Sequence, residues 1–393
     1  MAAGLTPPAR YRPTWAEIDL DALLHNLSLI RHRMGTRPLL AVVKADAYGH
    51  GAVPVARALE TAGVGHFGVA LPEEGIELRR AGVRVPILLL GGCTPEQADL
   101  VLDHDLTTAV YRRDQVEAVA SAAARRGVIA RVHLKVDTGM GRLGVPAAEV
   151  GPFADMFRQA AGDRLRMEGA YSHLAVADEP GNPFTARQIE LFRQSVDALR
   201  ARGLEPSLLH LANSAAITDH PPAWLTLVRP GIILYGYPPS GRVAPEAWRP
   251  VLCLRTRIIY LKDLPAGASL GYGKTWVASR SSRIASLPAG YDDGLPRLLG
   301  NRGHVLIHGR PAPIVGRISM DLTTVDVTGI PEARVGDTAT LIGTDGGASL
   351  GVDRIAAWAD TIPWDVLCGV GSRVPRFYRQ EGSLVVVSRF GPL

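Results

Sequence analysis

The segment that most constrains this chain is Leu39–Gly51, with the sequence LLAVVKADAYGHG. Its five leading residues are apolar and predict a buried strand that stops at Lys44. Glycines at positions 49 and 51 permit tight turns, and a helical pattern begins at Ala52. A buried strand that runs into a polar loop and a helix is typical of parallel sheets, whose active sites lie at the carboxyl ends of the strands. Taken alone, Lys44 is equally consistent with a solvated surface lysine.

The alternation of apolar runs and helical patterns continues to residue 229. Helical patterns such as Asp114–Arg126 and Pro183–Arg200 separate the runs. Eight such runs favour a (β/α)8 TIM barrel over an open Rossmann sheet. The predicted strands are Leu39–Lys44, His66–Ala70, Pro86–Leu90, Thr107–Tyr111, Arg131–Val136, Glu168–Leu174, Leu208–Ala212 and Leu225–Arg229.

The pattern changes at Tyr237–Pro250, a segment rich in proline and glycine that we interpret as a linker. We therefore expect an α/β fold, with an N-terminal (β/α)8 TIM barrel in residues 1–237 and a C-terminal mostly-β domain in residues 238–393. An N-terminal strand at about 14–20 could pack on the β domain. The second domain has one predicted helix, Val352–Thr361, and predicted strands at Leu252–Leu261, Ser282–Leu287, Val305–Ile307, Leu322–Val327, Thr338–Ile342 and Ser383–Ser388.

Composition excludes several classes of protein. The 393 residues are 47% hydrophobic and 21% charged, as in ordinary globular proteins, and the net charge of +5 comes from scattered arginines. The apolar runs fall far short of the ~20 residues that a membrane span needs, and no secretory signal is present. Three widely spaced cysteines suggest neither a zinc site nor disulfides. We expect a cytoplasmic protein that binds no metal, nucleic acid or membrane.

Two nucleotide-binding motifs are matched only in part. The sequence GMGRLG at 139–144 fits GxGxxG, but Glu168 begins the next predicted strand, whereas a dinucleotide site needs an acidic residue at its end. The sequence GKT at 273–275 resembles the end of a P-loop, but Gly267 is one residue too far away. We therefore disfavour a nucleotide site.

Polar residues recur where the predicted barrel strands end. Each has a structural explanation of its own, such as a helix cap for Ser214, a salt bridge for Arg229 or a core position for His173. Together they ring one mouth of a barrel, where active sites assemble. Backbone N–H groups near helix starts suit a phosphate, and an opposing lysine suggests a phosphorylated aldehyde held as a Schiff base. The residues are Lys44, Lys135, Asp137 to Arg142, His173, Asn213, Ser214, Arg229, Gly231 and Ile232.

At this point the chain resembles the alanine racemases, fold-type III pyridoxal-phosphate enzymes with a barrel followed by a β domain. The resemblance covers nearly the whole chain, with its motifs in the expected order. The matching stretches are VVKADAYGHG (42–51), KVDTGMGRLG (135–144), YSHLAVADE (171–179), HLANSAA (210–216), VRPGIILYG (228–236), GYGKT (271–275), LPAGYDDG (287–294), GRISMD (316–321) and SRVPR (372–376).

The resemblance implies how pyridoxal 5'-phosphate would be held. Lys44 would carry the cofactor and act as one base, and Lys135, carbamylated in some members, would fix Arg142. Arg229 would donate to the pyridine nitrogen. Because an arginine cannot supply a negative charge there, the ring becomes a weaker electron sink, which favours racemisation over transamination. The implied cofactor-binding residues are Lys44, Tyr48, Arg142, His173, Asn213, Ser214, Arg229, Gly231, Ile232 and Trp364.

The resemblance also implies a homodimer with active sites shared between subunits. Tyr272 of the partner subunit would be the second base, on the opposite face of the cofactor. A tyrosine is a poor base at neutral pH, and we expect His173 and Arg229 to assist it as a string of cationic donors. Arg142, Met320 and Asp321 would bind the small amino-acid substrate. Asp178, Tyr291, Arg297 and Arg317 would line the entrance.

Three positions depart from the family pattern. Trp364 replaces a usual tyrosine, Gly271 replaces a serine before Tyr272, and GYDDG at 290–294 replaces GYADG. The first hypothesis is interconversion of L- and D-alanine by two bases, supplying D-alanine for peptidoglycan in cell wall biogenesis. The alternatives are a racemase of serine or another amino acid in specialised metabolism, and a non-catalytic cofactor-binding protein. The segment after the linker and Tyr272 argue against the last.

Overall fold

The computed structural model describes residues 11–179, 181–239 and 247–387. Of these, the residues within Leu24–Ala47 and Ala52–Arg249 form one compact unit, which we call the barrel unit. Those within Met1–Leu23, Tyr48–Gly51 and Pro250–Leu393 form a second, the β unit. Among the described residues, no helix is long and apolar enough to cross a membrane.

The described chain begins with a strand and a helix, β1 (Thr14–Asp19) and α1 (Leu20–Met34), and then alternates strands with helices. The elements that follow are β2 (Leu40–Val42), the left-handed turn α2 (Lys44–Tyr48), α3 (Ala52–Thr61), β3 (His66–Val69), α4 (Pro72–Arg80), β4 (Ile87–Leu89), α5 (Ala98–Asp103), β5 (Thr107–Val110), α6 (Arg113–Arg126), β6 (Ala130–Asp137), β7 (Val145–Pro146), α7 (Val150–Ala161), β8 (Leu165–Tyr171), α8 (Phe184–Arg200), β9 (Leu208–His210) and α9 (Ser214–Asp219).

The barrel strands are parallel and pair in the order β2-β3-β4-β5-β6-β8-β9, with short β7 beside β6. Their residues are mostly apolar and buried, as expected for parallel strands covered by helices. Local signals set the helix ends. For example, α6 stops at Gly127, whose φ of 67° turns the chain and lets its N–H reach the carbonyls of Ala123 and Ala124. The predicted α/β fold with a TIM-type barrel is confirmed.

The predicted strand Leu225–Arg229 is wrong as a regular strand, because only Val228 forms a bridge, parallel to Leu39. The segment nevertheless closes the barrel. The N–H groups of Leu40 and Val42 donate to the carbonyls of Val228 and Pro230, each at 2.9 Å. On the other side, the N–H of Arg229 donates to Ala212 at 2.9 Å. Pro230 has no N–H, which limits the ladder.

The β unit also matches the predicted fold class, since it is mostly strand. Its largest sheet has the order β16-β15-β18-β10-β1-β20-β21, with β19 beside β18, and β11-β14-β17 form a second sheet. Strand β1 lies antiparallel to β10 and parallel to β20. The remaining elements are β10 (Leu252–Arg257), β11 (Tyr260–Leu264), β12 (Ser269–Leu270), β13 (Trp276–Val277), β14 (Ser282–Leu287), β15 (His304–Ile307), β16 (Arg310–Pro313), β17 (Thr323–Asp326), β18 (Thr338–Asp345), β19 (Ala348–Leu350), α10 (Val352–Trp358), α11 (Pro363–Cys368), β20 (Arg376–Gln380) and β21 (Ser383–Val387).

Three further boundaries differ from the predictions. The run Leu252–Leu261 is not one strand, because it splits into β10 and β11 in different sheets. The predicted helix Val352–Thr361 ends at Trp358, and Pro363 starts a second helix. The predicted strand Glu168–Leu174 lies at Leu165–Tyr171, so Glu168 is inside it rather than at its start. Residues 240–246 of the predicted linker, and Ser388 of the predicted last strand, lie outside the described residues.

Candidate active site

Lys44 lies two residues after β2, half-buried, and opens a left-handed turn. Ala45, Asp46, Ala47 and Tyr48 have φ angles of 52° to 54°. This region costs an L-residue roughly 1–2 kcal/mol. Four consecutive residues in it therefore require strong local support, and they give the lysine a backbone setting unlike that of an ordinary strand end.

A carboxylate supplies part of that support. Oε1 of Glu74, in the first turn of α4, accepts the N–H of Ala45 at 2.6 Å, and its Oε2 accepts the N–H groups of Ala70 and Leu71 at 2.7 and 3.1 Å. Oδ1 of Asp46 accepts the N–H of Ala52 at 2.7 Å. We did not predict Glu74 from the sequence. The available signal was an acidic residue in the first turn of a helix that begins with proline.

Lys135 is a buried amine in a cationic neighbourhood. It lies on β6 and is only 6% exposed. Burial, followed by the charges of Arg229, Arg142 and Lys44, lowers its pKa to about 7. Its Nζ donates to the carbonyl of Leu90 at 3.3 Å and lies 4.7 Å from the centre of the Tyr171 ring. Near neutral pH a substantial fraction of this amine is therefore unprotonated and nucleophilic.

The loop that carries Arg142 is held by Asp137, the last residue of β6. Its Oδ1 accepts the N–H of Gly139 at 2.9 Å and that of Gly141 at 3.1 Å. The loop is thus an Asx-type turn rather than a phosphate-binding helix start. Arg142 is exposed, and its charge is among those that lower the pKa values of Lys135 and His173.

Arg229 and His173 meet at the barrel mouth. Arg229 is 4% exposed and donates to the carbonyls of His210 at 2.7 Å and Ser172 at 2.8 Å. Its Nη2 lies 3.4 Å from Nδ1 of His173. A guanidinium can only donate, so Nδ1 accepts and the proton of a neutral His173 lies on Nε2.

The expected cationic state of His173 is wrong for this structure. Burial, reinforced by the charges of Arg229, Arg142, Lys135 and Lys44, lowers its pKa to about 3. A positive charge on the ring would be desolvated and repelled from several sides. At physiological pH His173 is a neutral donor, and Arg229 is the cation of the pair.

The residues predicted to hold a phosphate form a second cluster. Oγ of Ser214 accepts the N–H of Gly231 at 3.0 Å, so the starts of α9 and of the short helix Ile232–Tyr235 converge. Asn213 caps α9 by accepting the N–H of Ala216 at 3.0 Å, so the cap is Asn213 rather than Ser214. Two convergent helix starts after the last barrel strands are a common phosphate site. Together with Lys44 and Arg229, these residues fit pyridoxal phosphate.

The β unit contains most of the other predicted residues. Tyr48 is buried, and burial, then the neighbouring Cys368, raises the pKa of its phenol, which therefore stays a neutral donor. Trp364 is half-buried in the first turn of α11. Tyr272 is 70% exposed in the turn Tyr272–Lys274. Arg297 and Arg317 are exposed.

Two glycines flank Tyr272 and set the conformation of its loop. Gly271 has φ 73° and ψ −177°, a combination that glycine alone adopts readily. Gly273 is also left-handed, with φ 69°, and a Cβ there would lie 3.3 Å from Nη1 of Arg317. Gly271 therefore defines the conformation of this loop.

Met320, Asp321 and Tyr291 lie in one region of the β unit. The N–H of Tyr291 donates to Ser319 at 3.0 Å, and that of Asp292 donates to Met320 at 3.2 Å. Arg373 pairs with Asp292 at 2.9 Å and with Asp321 at 2.8 Å. The extra carboxylate of GYDDG, that of Asp292, is thus neutralised by an ion pair.

The sequence did not predict the ion-pair hub in the same region, which consists of Asp293, Arg12 and Arg373. Asp293 is fully buried and pairs with Arg12 at 2.6 Å and with Arg373 at 2.8 Å. The motifs GYDDG and SRVPR contain two of the three partners, but their pairing is a tertiary contact. In the barrel unit, Asp178 is exposed in the loop after β8.

Comparison with known proteins places both units in one family. The family models "Alanine racemase, N-terminal domain" and "Alanine racemase, C-terminal domain" match residues 18–239 and 251–378. The alanine racemase of Halothermothrix orenii is 45% identical over 94% of this chain and 98% of its own length. Two solved structures are similar throughout. The alanine racemase of Clostridium difficile 630 has a TM-score of 0.90 at 36% identity and covers 96% of this chain and 98% of its own. That of Bacillus anthracis with bound L-Ala-P has a TM-score of 0.90 at 32% identity and covers 98% of this chain and 99% of its own.

Proposed function

The chain belongs to the alanine racemase family, an isomerase family, and on that premise we propose that it interconverts L- and D-alanine with pyridoxal 5'-phosphate. The two-base mechanism uses Lys44 on one face of the cofactor and Tyr272 of the partner subunit on the other. Relatives named as alanine racemases and a solved relative with bound L-Ala-P support this substrate.

The proposed site residues include groups for each part of the cofactor. Lys44 supplies the amine, and the cluster of Ser214, Gly231 and Ile232 supplies a phosphate site. Tyr48 supplies a neutral phenol donor for the phosphate. Bound pyridoxal phosphate would supply electron withdrawal that makes the α-hydrogen of an amino acid acidic. Arg142, Asn213, His173 and Trp364 complete the proposed contacts, and Arg142, Met320 and Asp321 are proposed to bind substrate.

The observation that carries the proposal is the buried Arg229, which is proposed to face the pyridine nitrogen. A carboxylate in that position would make the cofactor a stronger electron sink. Arg229 remains cationic although burial lowers its pKa to about 10. It can donate to the pyridine nitrogen but cannot stabilise a proton on it. Negative charge that develops at the substrate's Cα is then poorly delocalised, so this carbon is reprotonated promptly. This outcome favours racemisation over transamination.

The proton-transfer groups occupy distinct settings. The left-handed turn clamped by Glu74 orients Lys44, which would move a proton on one side of Cα. Neutral His173, with its proton on Nε2, is a donor suited to the phenolic oxygen of Tyr272 of the partner subunit. Asp178, Tyr291, Arg297 and Arg317 are proposed to line the entrance.

Lys135 is proposed to be carbamylated. The reaction needs an unprotonated amine, and a pKa of about 7 supplies one. The carbamate would replace a cation by an anion amid Arg142, Arg229 and Lys44. Electrostatic repulsion would become attraction, and Arg142 would be fixed towards the cofactor.

The proposed function is tested with purified protein reconstituted with pyridoxal phosphate. Chiral chromatography should show equal amounts of D- and L-alanine at equilibrium from either isomer, and Lys44→Ala should abolish the reaction. Tyr272→Phe should abolish exchange of the α-hydrogen of L-alanine and spare that of D-alanine, whereas full activity in this variant would contradict the two-base assignment.

Substrate identity requires a panel of the twenty amino acids, with Trp364→Tyr measured beside the native protein. A preference for serine or a larger amino acid would replace alanine as the substrate. We propose a cytoplasmic homodimer that supplies D-alanine for peptidoglycan. A strain lacking this protein and any other alanine racemase should then require D-alanine for growth, and rescue by the native gene but not by Lys44→Ala is the matched control.

A further inference from the structure

Arg229 is a buried cation whose direct partners are neutral. Besides the carbonyls of His210 and Ser172, it donates to that of Leu211 at 3.2 Å. In the described part of the chain it forms no ion pair with a carboxylate. An isolated buried charge is costly unless other groups compensate it.

A chain of side chains leads from Arg229 to a carboxylate. Nη1 of Arg229 lies 3.3 Å from Nδ1 of His210, and Nε2 of His210 lies 2.8 Å from Nδ1 of His133. Nε2 of His133 lies 3.7 Å from Oε2 of Glu168, an electrostatic contact rather than a short hydrogen bond.

The direction of this chain is determined by its two ends. Because Arg229 can only donate, Nδ1 of His210 accepts and Nε2 carries the proton. That proton is donated to Nδ1 of His133, so the proton of a neutral His133 also lies on Nε2, directed at the carboxylate. Burial lowers the pKa values of His133 and His210, and the contact with His133 lowers that of Glu168, which leaves neutral rings and an ionised acid.

The backbone is shaped to accommodate these rings. The β6–β8 register shifts between Val132 and His133, which pair with Met167 and Gly169, so Glu168 is an extra residue on β8. Such a bulge redirects a side chain. Gly169 makes room for the imidazole, because a Cβ there would collide with the ring of His133 and lie 2.8 Å from the carbonyl of Leu208. On the other side, the rings of Tyr171 and His210 stack at 4.6 Å.

We propose that Glu168 is a positioning residue for Arg229, acting through His133 and His210. The chain fixes both imidazoles in the Nε2–H tautomer and so keeps an acceptor facing the guanidinium. The expected effect on turnover rests on the proposed racemase function, whereas the tautomers do not.

The test compares Glu168→Gln with the native protein. Glutamine keeps the shape and an acceptor oxygen but removes the charge and adds a donor. Glu205→Gln is the matched control, because Glu205 is an exposed carboxylate in the loop before β9. The first measurement is ¹⁵N NMR of histidine-labelled protein without added cofactor, with signals assigned by His133→Gln and His210→Gln.

In the native protein and in Glu205→Gln, both signals should report the neutral Nε2–H tautomer at pH 8. In Glu168→Gln the amide can also donate to Nε2 of His133, so both coupled rings should become mixtures of tautomers. The second measurement is steady-state kinetics of the cofactor-loaded enzyme. There kcat should fall about tenfold in Glu168→Gln, the lower end of the cost seen for partners that orient metal-ligating histidines, with KM within about twofold.

Unchanged tautomers in Glu168→Gln would show that Glu168 does not fix the tautomers of His133 and His210. Altered tautomers with an unchanged kcat would overturn the positioning role. If the native protein racemises no amino acid, the proposed function fails, and the NMR measurement still decides the chain separately.

Discussion

Nη2 of Arg229 lies 3.4 Å from Nδ1 of His173, and this contact determines which nitrogen of the imidazole carries the proton. The same guanidinium faces Nδ1 of His210 at 3.3 Å. One buried donor thus faces an acceptor nitrogen on each of two histidines. Both rings are neutral at physiological pH because burial disfavours their charged forms.

Because buried His173 is neutral in the folded chain, the unfolding free energy should fall as the pH is lowered. The pKa of His173 is about 3 in the folded chain and about 6.5 when unfolded, so the unfolded state binds more protons between these values. Its contribution is complete above pH 6.5 and is lost as the pH falls towards 3. Between pH 7.5 and 4.5 we expect His173 to account for about 3 kcal/mol of lost unfolding free energy.

Urea unfolding of the protein without added cofactor at pH 7.5, 6.0 and 4.5 measures this effect. His173→Gln cannot take up the proton, so its stability should decline less steeply by the amount stated. Exposed His32 is the control position, since His32→Gln should leave the slope as in the native protein. Parallel slopes for the native protein and His173→Gln would contradict the neutral assignment.

Lys135 should react with carbon dioxide because its amine has a pKa of about 7. Protein incubated with ¹³C-bicarbonate at pH 8 should show a carbamate resonance by ¹³C NMR, and Lys135→Gln should lack it. Lowering the pH below 6 should remove the signal, since the amine is then protonated and the carbamate decomposes. A carbamate signal that persists in Lys135→Gln would assign the modification to another lysine.

Glu74 should support the turn at Lys44 more than its exposed neighbour Glu73 does. Glu74→Ala removes an acceptor for three N–H groups, which we expect to cost about 2 kcal/mol of unfolding free energy and to weaken cofactor retention. Glu73→Ala should change neither. The measurements are urea unfolding and the dissociation constant for pyridoxal phosphate, followed by absorbance. Equal effects of the two substitutions would exclude the clamp.

Gly271 should be required for the loop that carries Tyr272. Alanine at φ 73° and ψ −177° is strained by about 1–3 kcal/mol, so Gly271→Ala should displace the loop and lower kcat. The melting temperature should change little, because the strain is local. Gly329→Ala is the control, since a Cβ there meets nothing within 4 Å and its φ is not left-handed. An unchanged kcat in Gly271→Ala would show that the loop tolerates a side chain.

Local sequence patterns predicted the barrel well and its closure poorly. The strand periodicity placed β3 and β5 within a residue of their observed ends. It failed at Leu225–Arg229, because one β-bridge and a few backbone hydrogen bonds to the neighbouring segments close the barrel there without a regular strand. The motifs brought Lys135, His173 and Arg229 together, but no pattern in one sequence reveals that Glu74 reaches Ala45 or that Arg12 reaches Asp293. Those contacts depend on tertiary packing, as does the neutral state of His173.

The buried hub at Asp293 gives the sharpest stability prediction for the β unit. Burial opposes ionisation of this carboxyl, but the contacts with Arg12 and Arg373 prevail and lower its pKa. Asp293→Asn keeps the shape and removes the buried anion from two partly exposed arginines, which should cost about 2–3 kcal/mol of unfolding free energy. Asp292→Asn breaks only the more exposed pair with Arg373 and should cost no more than about 1 kcal/mol.

Urea unfolding at pH 7 compares the two variants. The Asp293 carboxyl stabilises the fold only while it is ionised. The difference in unfolding free energy between the two variants should therefore narrow as the pH falls below about 4. A loss in Asp292→Asn as large as that in Asp293→Asn would show that the exposed pair, and not the buried carboxylate, holds Arg373.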